Sequence, residues 1–199
     1  MPHNYNSSIL YEKTWHPIAD AFYHSKYPIA EILRYTDDSK NDLEFQRKDI
    51  DLTLKFEDKE IHLSEKFRKE DYGDFLIELY SKYPEKKGWM ENNEADFIAY
   101  FTSQKVYFIN KKELVCWYQS EDFLDILKKD IEIFHQENSL KSARKKIQFH
   151  SKIGNNLHLN LIQAYNKTKD ADWHTISIAM TWEDMIREGL RVKSYDLVK

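Results

Sequence analysis

The sequence predicts a mixed α/β (α+β) domain, with a central sheet flanked by helices, on three observations. Residues 49–56 (DIDLTLKF) and 60–67 (EIHLSEKF) alternate polar and apolar positions, the signature of a half-buried β-hairpin. Residues 17–35, 71–83 and 111–135 repeat apolar positions at helical spacing. Strand-like and helix-like stretches also interleave along the chain instead of segregating into halves.

The polar residues 1–15 are expected to form a flexible arm, with a single domain over 16–199. Ile18, Ala21 and Phe22 mark a first helix, and Pro28 is placed to start a second carrying Ile29, Ile32 and Leu33, since proline suits a first helical turn. Residues 36–42 read as a polar loop and Leu43–Gln46 as a lead-in strand to the hairpin. Over Asp71–Tyr83, Tyr72, Phe75, Leu76, Leu79, Tyr80 and Tyr83 fit an amphipathic helix. A loop over 84–93, strands at Ala95–Phe101 and Lys105–Ile109, and helices at Lys111–Tyr118 and Asp122–His135 follow. Strands at Lys146–His150, Leu157–Ala164 and Thr175–Met180 come next, then a last helix capped by Thr181, with Asp184 three residues on.

Composition narrows the function. The chain has 199 residues, 41% hydrophobic and 15% aromatic, enough for a sizeable core. Its net charge of −4 does not announce a nucleic-acid binder, so any such role rests on local patches. One cysteine, Cys116, excludes an internal disulfide and a cysteine-cluster zinc site; set in an apolar run, it is expected to be buried and inert. The histidines show no HExxH spacing, and neither GxxxxGK[ST] nor GxGxxG occurs, which removes the usual zinc-protease and nucleotide-binding motifs. No apolar stretch approaches the ~18 residues of a membrane span, and MPHNYNSSILYEK lacks a signal-peptide layout, so a cytoplasmic setting without membrane contact is expected.

The hairpin carries the chemistry. A two-residue turn at Asp58–Lys59 sets Lys55 opposite His62, Thr53 opposite Ser64 and Asp51 opposite Lys66, while Phe56 meets Ile61 and Leu54 meets Leu63. A one-residue slip would mix apolar with polar residues on both faces, so the pattern rejects it. An acid, a hydroxyl and a lysine thus converge at one end of the hairpin's polar face.

The run from Gln46 to Ser81 (QRKDIDLTLKF…IHLSEKFRKEDYGDFLIELYS) resembles the core of PD-(D/E)XK nucleases. It is especially similar to phage and bacterial members in which an acid–Glu–Lys triplet is followed by an Arg and a DFLLE-type helix. Gly88–Phe101 (GWM…ADFIAYF) is similar to the same group, and the match covers about a quarter of the chain. The resemblance implies a restriction-endonuclease-like sheet between helices. It implies Asp51 as the metal-binding acid, Lys66 as the catalytic lysine and Gln46 as the polar position preceding the active-site strand. The implied cofactor is Mg²⁺ (or Mn²⁺), which polarises the phosphate and lowers the pKa of an attacking water.

Where that group has its second acid, this chain has Ser64. Three explanations stay open. A β-bulge swings Glu65 into the site, making Glu65 a catalytic residue and metal ligand with Asp51. Alternatively, the acid has moved to Glu31 or Glu78. Or the site is degenerate, and the chain binds nucleic acid or a protein partner without cutting. Arg68 and Lys69 beside the site, and Lys145 and Lys146 in a second basic cluster with Lys141, Arg144 and Lys152, are the expected phosphate contacts. The expected function is a Mg²⁺-dependent DNA endonuclease in a restriction, phage or mobile-element setting, with DNA as partner and a homodimer as a possible assembly.

Overall fold

Residues 5–36, 40–91, 94–168 and 171–197 are described by the computed structural model. The chain runs through α1 (Tyr5–Lys26), β1 (Glu31–Arg34), α2 (Lys40–Arg47), β2 (Leu52–Lys55), β3 (Glu60–Phe67), β4 (Asp74–Lys82), β5 (Lys86–Lys87), β6 (Phe97–Phe101) and β7 (Lys105–Asn110). It continues through α3 (Lys111–Ser120), α4 (Phe123–Glu137), β8 (Ala143–His150), β9 (Asn156–Lys167), β10 (Asp172–Thr181), α5 (Trp182–Arg187) and β11 (Val192–Asp196). The expected α+β class is what forms, with the strands in two sheets. The chain clusters into two compact units. One holds Ile9–Tyr72, Asn92–Leu114 and Arg191–Lys199; the other holds Met1–Ser8, Gly73–Glu91 and Val115–Leu190. Among the described residues, no helix is long and apolar enough to cross a membrane.

The first unit carries a six-stranded sheet in the order β1-β2-β3-β6-β7-β11, antiparallel except for the β3–β6 pair. One face is a hydrophobic core. Trp15, Ala19, Phe22 and Tyr23 recur at helical spacing on α1 and pack with Leu52, Leu54, Leu63, Ala99, Phe101 and Phe108. Pro17 lies inside α1, at a cost of ~3 kcal/mol; burial of the aromatic stripe, ~1.5–3 kcal/mol per large side chain, offsets it. The arm expected over 1–15 is therefore corrected for residues 5–15, which are helical, while 1–4 lie outside the described residues. The helix expected from Pro28 is also corrected: Glu31–Arg34 pairs with β2 as a strand, Ile32 opposite Leu54. Leu43–Gln46 is not a strand but part of α2, where the Phe45 ring stacks on Tyr35 at 4.0 Å; of the loop expected at 36–42, residues 37–39 lie outside the described residues.

The hairpin forms, with its faces as expected but its register two residues away. Leu52 pairs with Leu63, Thr53 with His62, Leu54 with Ile61 and Lys55 with Glu60, and Phe56 N–H closes the turn on Lys59 C=O at 2.8 Å. A two-residue slip preserves which side chains share a face, so the apolar rows match in either register. The polar row is not solvated: Thr53 is 1% exposed and Ser64 is fully buried. These two buried hydroxyls are satisfied within the protein, Thr53 Oγ1 by Tyr35 and His62 and Ser64 Oγ by Asp49.

Between β3 and β6 the resemblance implies a helix, and Asp71–Tyr83 fits one by pattern. The chain instead forms β4, with Phe75, Ile77 and Leu79 buried in alternation. Gly73, at φ +67°, separates it from the residues that follow β3. β4 is in the second unit, whose sheet runs β5-β4-β10-β9-β8 and is antiparallel throughout. Ile176, Ile178 and Met180 of β10 and Leu157, Leu159 and Leu161 of β9 continue the buried rows. Phe123, Leu127, Ile131 and Phe134 form the buried stripe of α4, with Phe123 stacked on Phe149 at 4.5 Å. Thr181 caps α5 as expected, its Oγ1 accepting from Asp184 N–H at 3.1 Å. Cys116 is exposed, not buried, because Lys111, Leu114, Trp117 and Tyr118 are the buried residues of α3.

Candidate functional site

The site is built where α2 hands over to β2. Asp49 N–H bonds Gln46 C=O at 2.9 Å and Ile50 N–H bonds Phe45 C=O at 3.0 Å, the paired bonds of a Schellman helix end. That motif needs a left-handed residue, and Asp49 occupies the position at φ 56°. Aspartate is among the few residues other than glycine that visit this region readily. The turn projects the Asp49 carboxylate over β3. Its Oδ1 accepts from Lys66 Nζ at 2.9 Å and its Oδ2 from Ser64 Oγ at 3.0 Å.

Asp51 lies just before β2. Its N–H donates to Leu63 C=O at 2.9 Å and its C=O accepts from Tyr35 N–H at 3.0 Å. Its Oδ2 accepts the Glu65 backbone N–H at 2.7 Å. Burial pushes the Asp51 carboxyl up to about 6; the Lys66 charge opposes this, while Asp49 and Glu65 add to it. For Lys66, burial works against the ammonium, but Asp49 and Asp51 outweigh it and hold the pKa above the ordinary lysine value. Lys111 opens α3 only 2% exposed, and burial lowers its ammonium to about 7, with Asp49 supporting the charge and Lys66 opposing it. Glu12 of α1 also feels the charges of Lys66, Asp51 and Asp49.

The residues expected at the site divide sharply. Asp51, Ser64 and Lys66 do gather with one another, and Lys66 Nζ bonds Asp49 at 2.9 Å while the Asp51 charge also supports its ammonium. Gln46 lies on α2, its side chain 3.4 Å from Tyr35 C=O and its own carbonyl holding the Asp49 turn. The bulge expected to deliver Glu65 is corrected. β3 pairs residue for residue with β6 from Leu63–Phe97 to Phe67–Phe101, and Glu65 stays on the face of Leu63. There its carboxylate accepts from Tyr23 Oη at 3.0 Å and pairs with Arg34, which also bonds Asp20. Glu31 is at the far end of the β1–β2 ladder, opposite Lys55. Glu78 is on β4 opposite Ser177, in the five-stranded unit.

Of the expected phosphate contacts, Arg68 lies over the Tyr72 ring at 5.0 Å and Lys69 over the Tyr11 ring at 5.1 Å. Lys145 and Lys146 alternate to opposite sides of β8: Lys145 pairs with Asp130 at 3.9 Å, and Lys146 is exposed. Asp49 and Lys111 are the residues that sequence reading missed. Asp49 had one available signal: an Asp two residues past a helix ending in Arg is a natural left-handed cap. Lys111 had none, since a lysine opening a helix reads as solvated.

Among the described residues, no group of three His, Cys, Asp or Glu side chains converges as a caged metal site would require. Two neighbouring aspartates, Asp51 with its carboxyl raised to about 6 by desolvation and Asp49 beside it, do fit a hard divalent ion. Such an ion takes one or two carboxylates and completes its shell with water and substrate oxygens. Comparison of the chain with protein-family models, with curated proteins and with solved structures finds no match.

Proposed function

We propose that this chain is a Mg²⁺-dependent phosphodiesterase acting on DNA, of the PD-(D/E)XK type, working in the cytoplasm in a restriction, phage or mobile-element setting. One observation carries the reading: Asp49, Asp51, Ser64 and Lys66 form a polar cluster at the end of the hairpin, with Ser64 buried and the two acids and the lysine half-buried. Drawing two acids and a lysine together partly out of water is costly to stability, and such arrangements concentrate at functional sites. Asp51 would hold the ion, with Asp49 as its neighbour in the donor set. A bound divalent ion would polarise the phosphate and make a bound water more acidic. Lys66 orients the attacking water and offsets charge developing on the phosphate. Asp49 fixes the direction of the Lys66 ammonium, and Ser64, at the usual place of an acid, ties Asp49 to β3. Cleavage of both DNA strands would be served by a homodimer.

A second reading has its own support. The Glu65 carboxylate is committed to Arg34 and Tyr23, and Lys66 to Asp49, as in a nuclease-like protein that binds nucleic acid or a protein partner without cutting it. Incubation of the protein with supercoiled plasmid and Mn²⁺ or Mg²⁺, with and without chelator, separates the two. We expect metal-dependent nicking that Lys66→Ala abolishes while the circular dichroism spectrum is kept. A wild type inert on all DNA and RNA tested, and without Mn²⁺ heat in calorimetry, would decide for the silent module.

A further inference from the structure

We infer that Glu65 serves the site through its backbone, as a positioning residue: its carboxylate anchors β3 to α1 and β1, and its N–H holds Asp51. The inference rests on the reading of Asp51 as the acid that meets the metal. Asp51 stands one residue before the ladder begins at Leu52. It therefore meets the next N–H of β3 with its side chain, Glu65 N–H to Oδ2 at 2.7 Å. That bond fixes the rotation of the carboxylate.

The donor is itself clamped. The Glu65 side chain is 1% exposed and held on two sides. Tyr23 Oη of α1 donates to Oε1 at 3.0 Å. Arg34 of β1 reaches both carboxylate oxygens, through Nη1 to Oε2 and through Nη2 to Oε1 at 3.3 Å. Arg34 is held in turn by Asp20 Oδ1, at 3.1 Å from Nε and 2.5 Å from Nη2. One residue thus joins the anchored apolar face of the sheet to the site. A two-pronged arginine–carboxylate pair fixes orientation as well as distance, which a positioning contact requires.

The test compares two variants, with Mn²⁺ as the probe. In Tyr23→Phe, one supporting bond to Oε1 is lost but both arginine–carboxylate bonds are kept, so the two-pronged anchor survives. In the double variant Arg34→Met with Glu65→Met, the net charge near Asp51 is unchanged and the buried volume stays filled, but the anchor is gone. We expect Tyr23→Phe to bind Mn²⁺ within threefold of wild type in calorimetry. We expect the double variant to fold and lose at least tenfold. The residue-65 amide proton gives a signature that stability alone does not move. It should resonate far downfield in wild type and Tyr23→Phe, and shift upfield in the double variant and in Asp51→Asn. If the Met pair does not fold, Arg34→Lys, which keeps the charge and loses the two-pronged grip, carries the same comparison.

A folded Arg34→Lys with wild-type Mn²⁺ affinity, its Glu65 carboxylate intact and the two-pronged grip gone, would show that the grip does not position the site and would overturn the inference. So would a folded double variant with wild-type Mn²⁺ affinity and an unmoved amide resonance. A wild type that binds Mn²⁺ and shows the amide signature, yet cuts no nucleic acid, would sink the nuclease reading and leave the positioning role standing.

Discussion

Asp51 is where burial and charge conflict most openly. Its carboxyl is raised to about 6 by burial first, with the Lys66 charge opposing and Asp49 and Glu65 reinforcing the rise. The consequence for stability has a definite sign. Between pH ~4, where a free aspartate ionises, and pH 6, the folded protein keeps a proton on Asp51 that the unfolded chain has released. Stability from this group is therefore greatest at low pH and is lost as pH rises through that window. By pH 7 the ionised carboxylate costs the fold on the order of 2–3 kcal/mol. Asp51→Asn should remove that cost: the variant melts higher than wild type at pH 7, and the two curves converge near pH 4. Thermal melts across pH 4–7.5 that place the Asn variant below wild type at every pH would remove this account.

At the scale of elements, the sequence was legible in parity and illegible in identity. Alternation at 49–56 and 60–67 placed Leu52, Leu54 and Leu63 on the core face and Thr53, Ser64 and Lys66 on the other, and they lie there. It could not choose between registers two residues apart, since each pairs apolar with apolar. Asp51 was therefore set opposite Lys66, and Asp49 was overlooked because its role comes from a left-handed turn and not from the strand pattern. The stretch DFLIELYS satisfies both periods: Phe75 and Leu79 face inward in either, and only Ile77 and Leu76 tell them apart. What decides is tertiary, because β10 offers Ile176, Ile178 and Met180 as a partner row that no local rule foresees. The strand geometry makes a specific forecast. Ile77 is fully buried and Leu76 half-buried, so Ile77→Ala should cost about 2–4 kcal/mol in urea denaturation and Leu76→Ala less than half as much. A helix over the same residues would reverse that order.

For the whole molecule, the feature that sequence reading could not supply is the division of the chain. Each unit is assembled from separated segments, and β11, at Val192–Asp196, returns to pair with β7 of the six-stranded sheet. No linker composition marks those crossings. The net charge of −4, by contrast, is read directly and constrains any encounter with DNA. A protein that is acidic overall is repelled by DNA at long range, so binding must come from few, local phosphate contacts. Arg68 and Lys69 follow β3 directly, in the same unit as Asp51 and Lys66, and lie over aromatic rings. Lys145 is paired with Asp130. Each phosphate neutralised contributes about −0.9 to the slope of log K against log salt. Anisotropy titrations of duplex DNA, with Ca²⁺ replacing Mg²⁺ to block cleavage, should therefore give a shallow slope of roughly −2 to −4. Arg68→Ala with Lys69→Ala should flatten it by about 2, and Lys145→Ala should leave it unchanged. A steep slope that Arg68 and Lys69 do not influence would place the DNA contacts elsewhere on the chain and detach them from the Asp51 site.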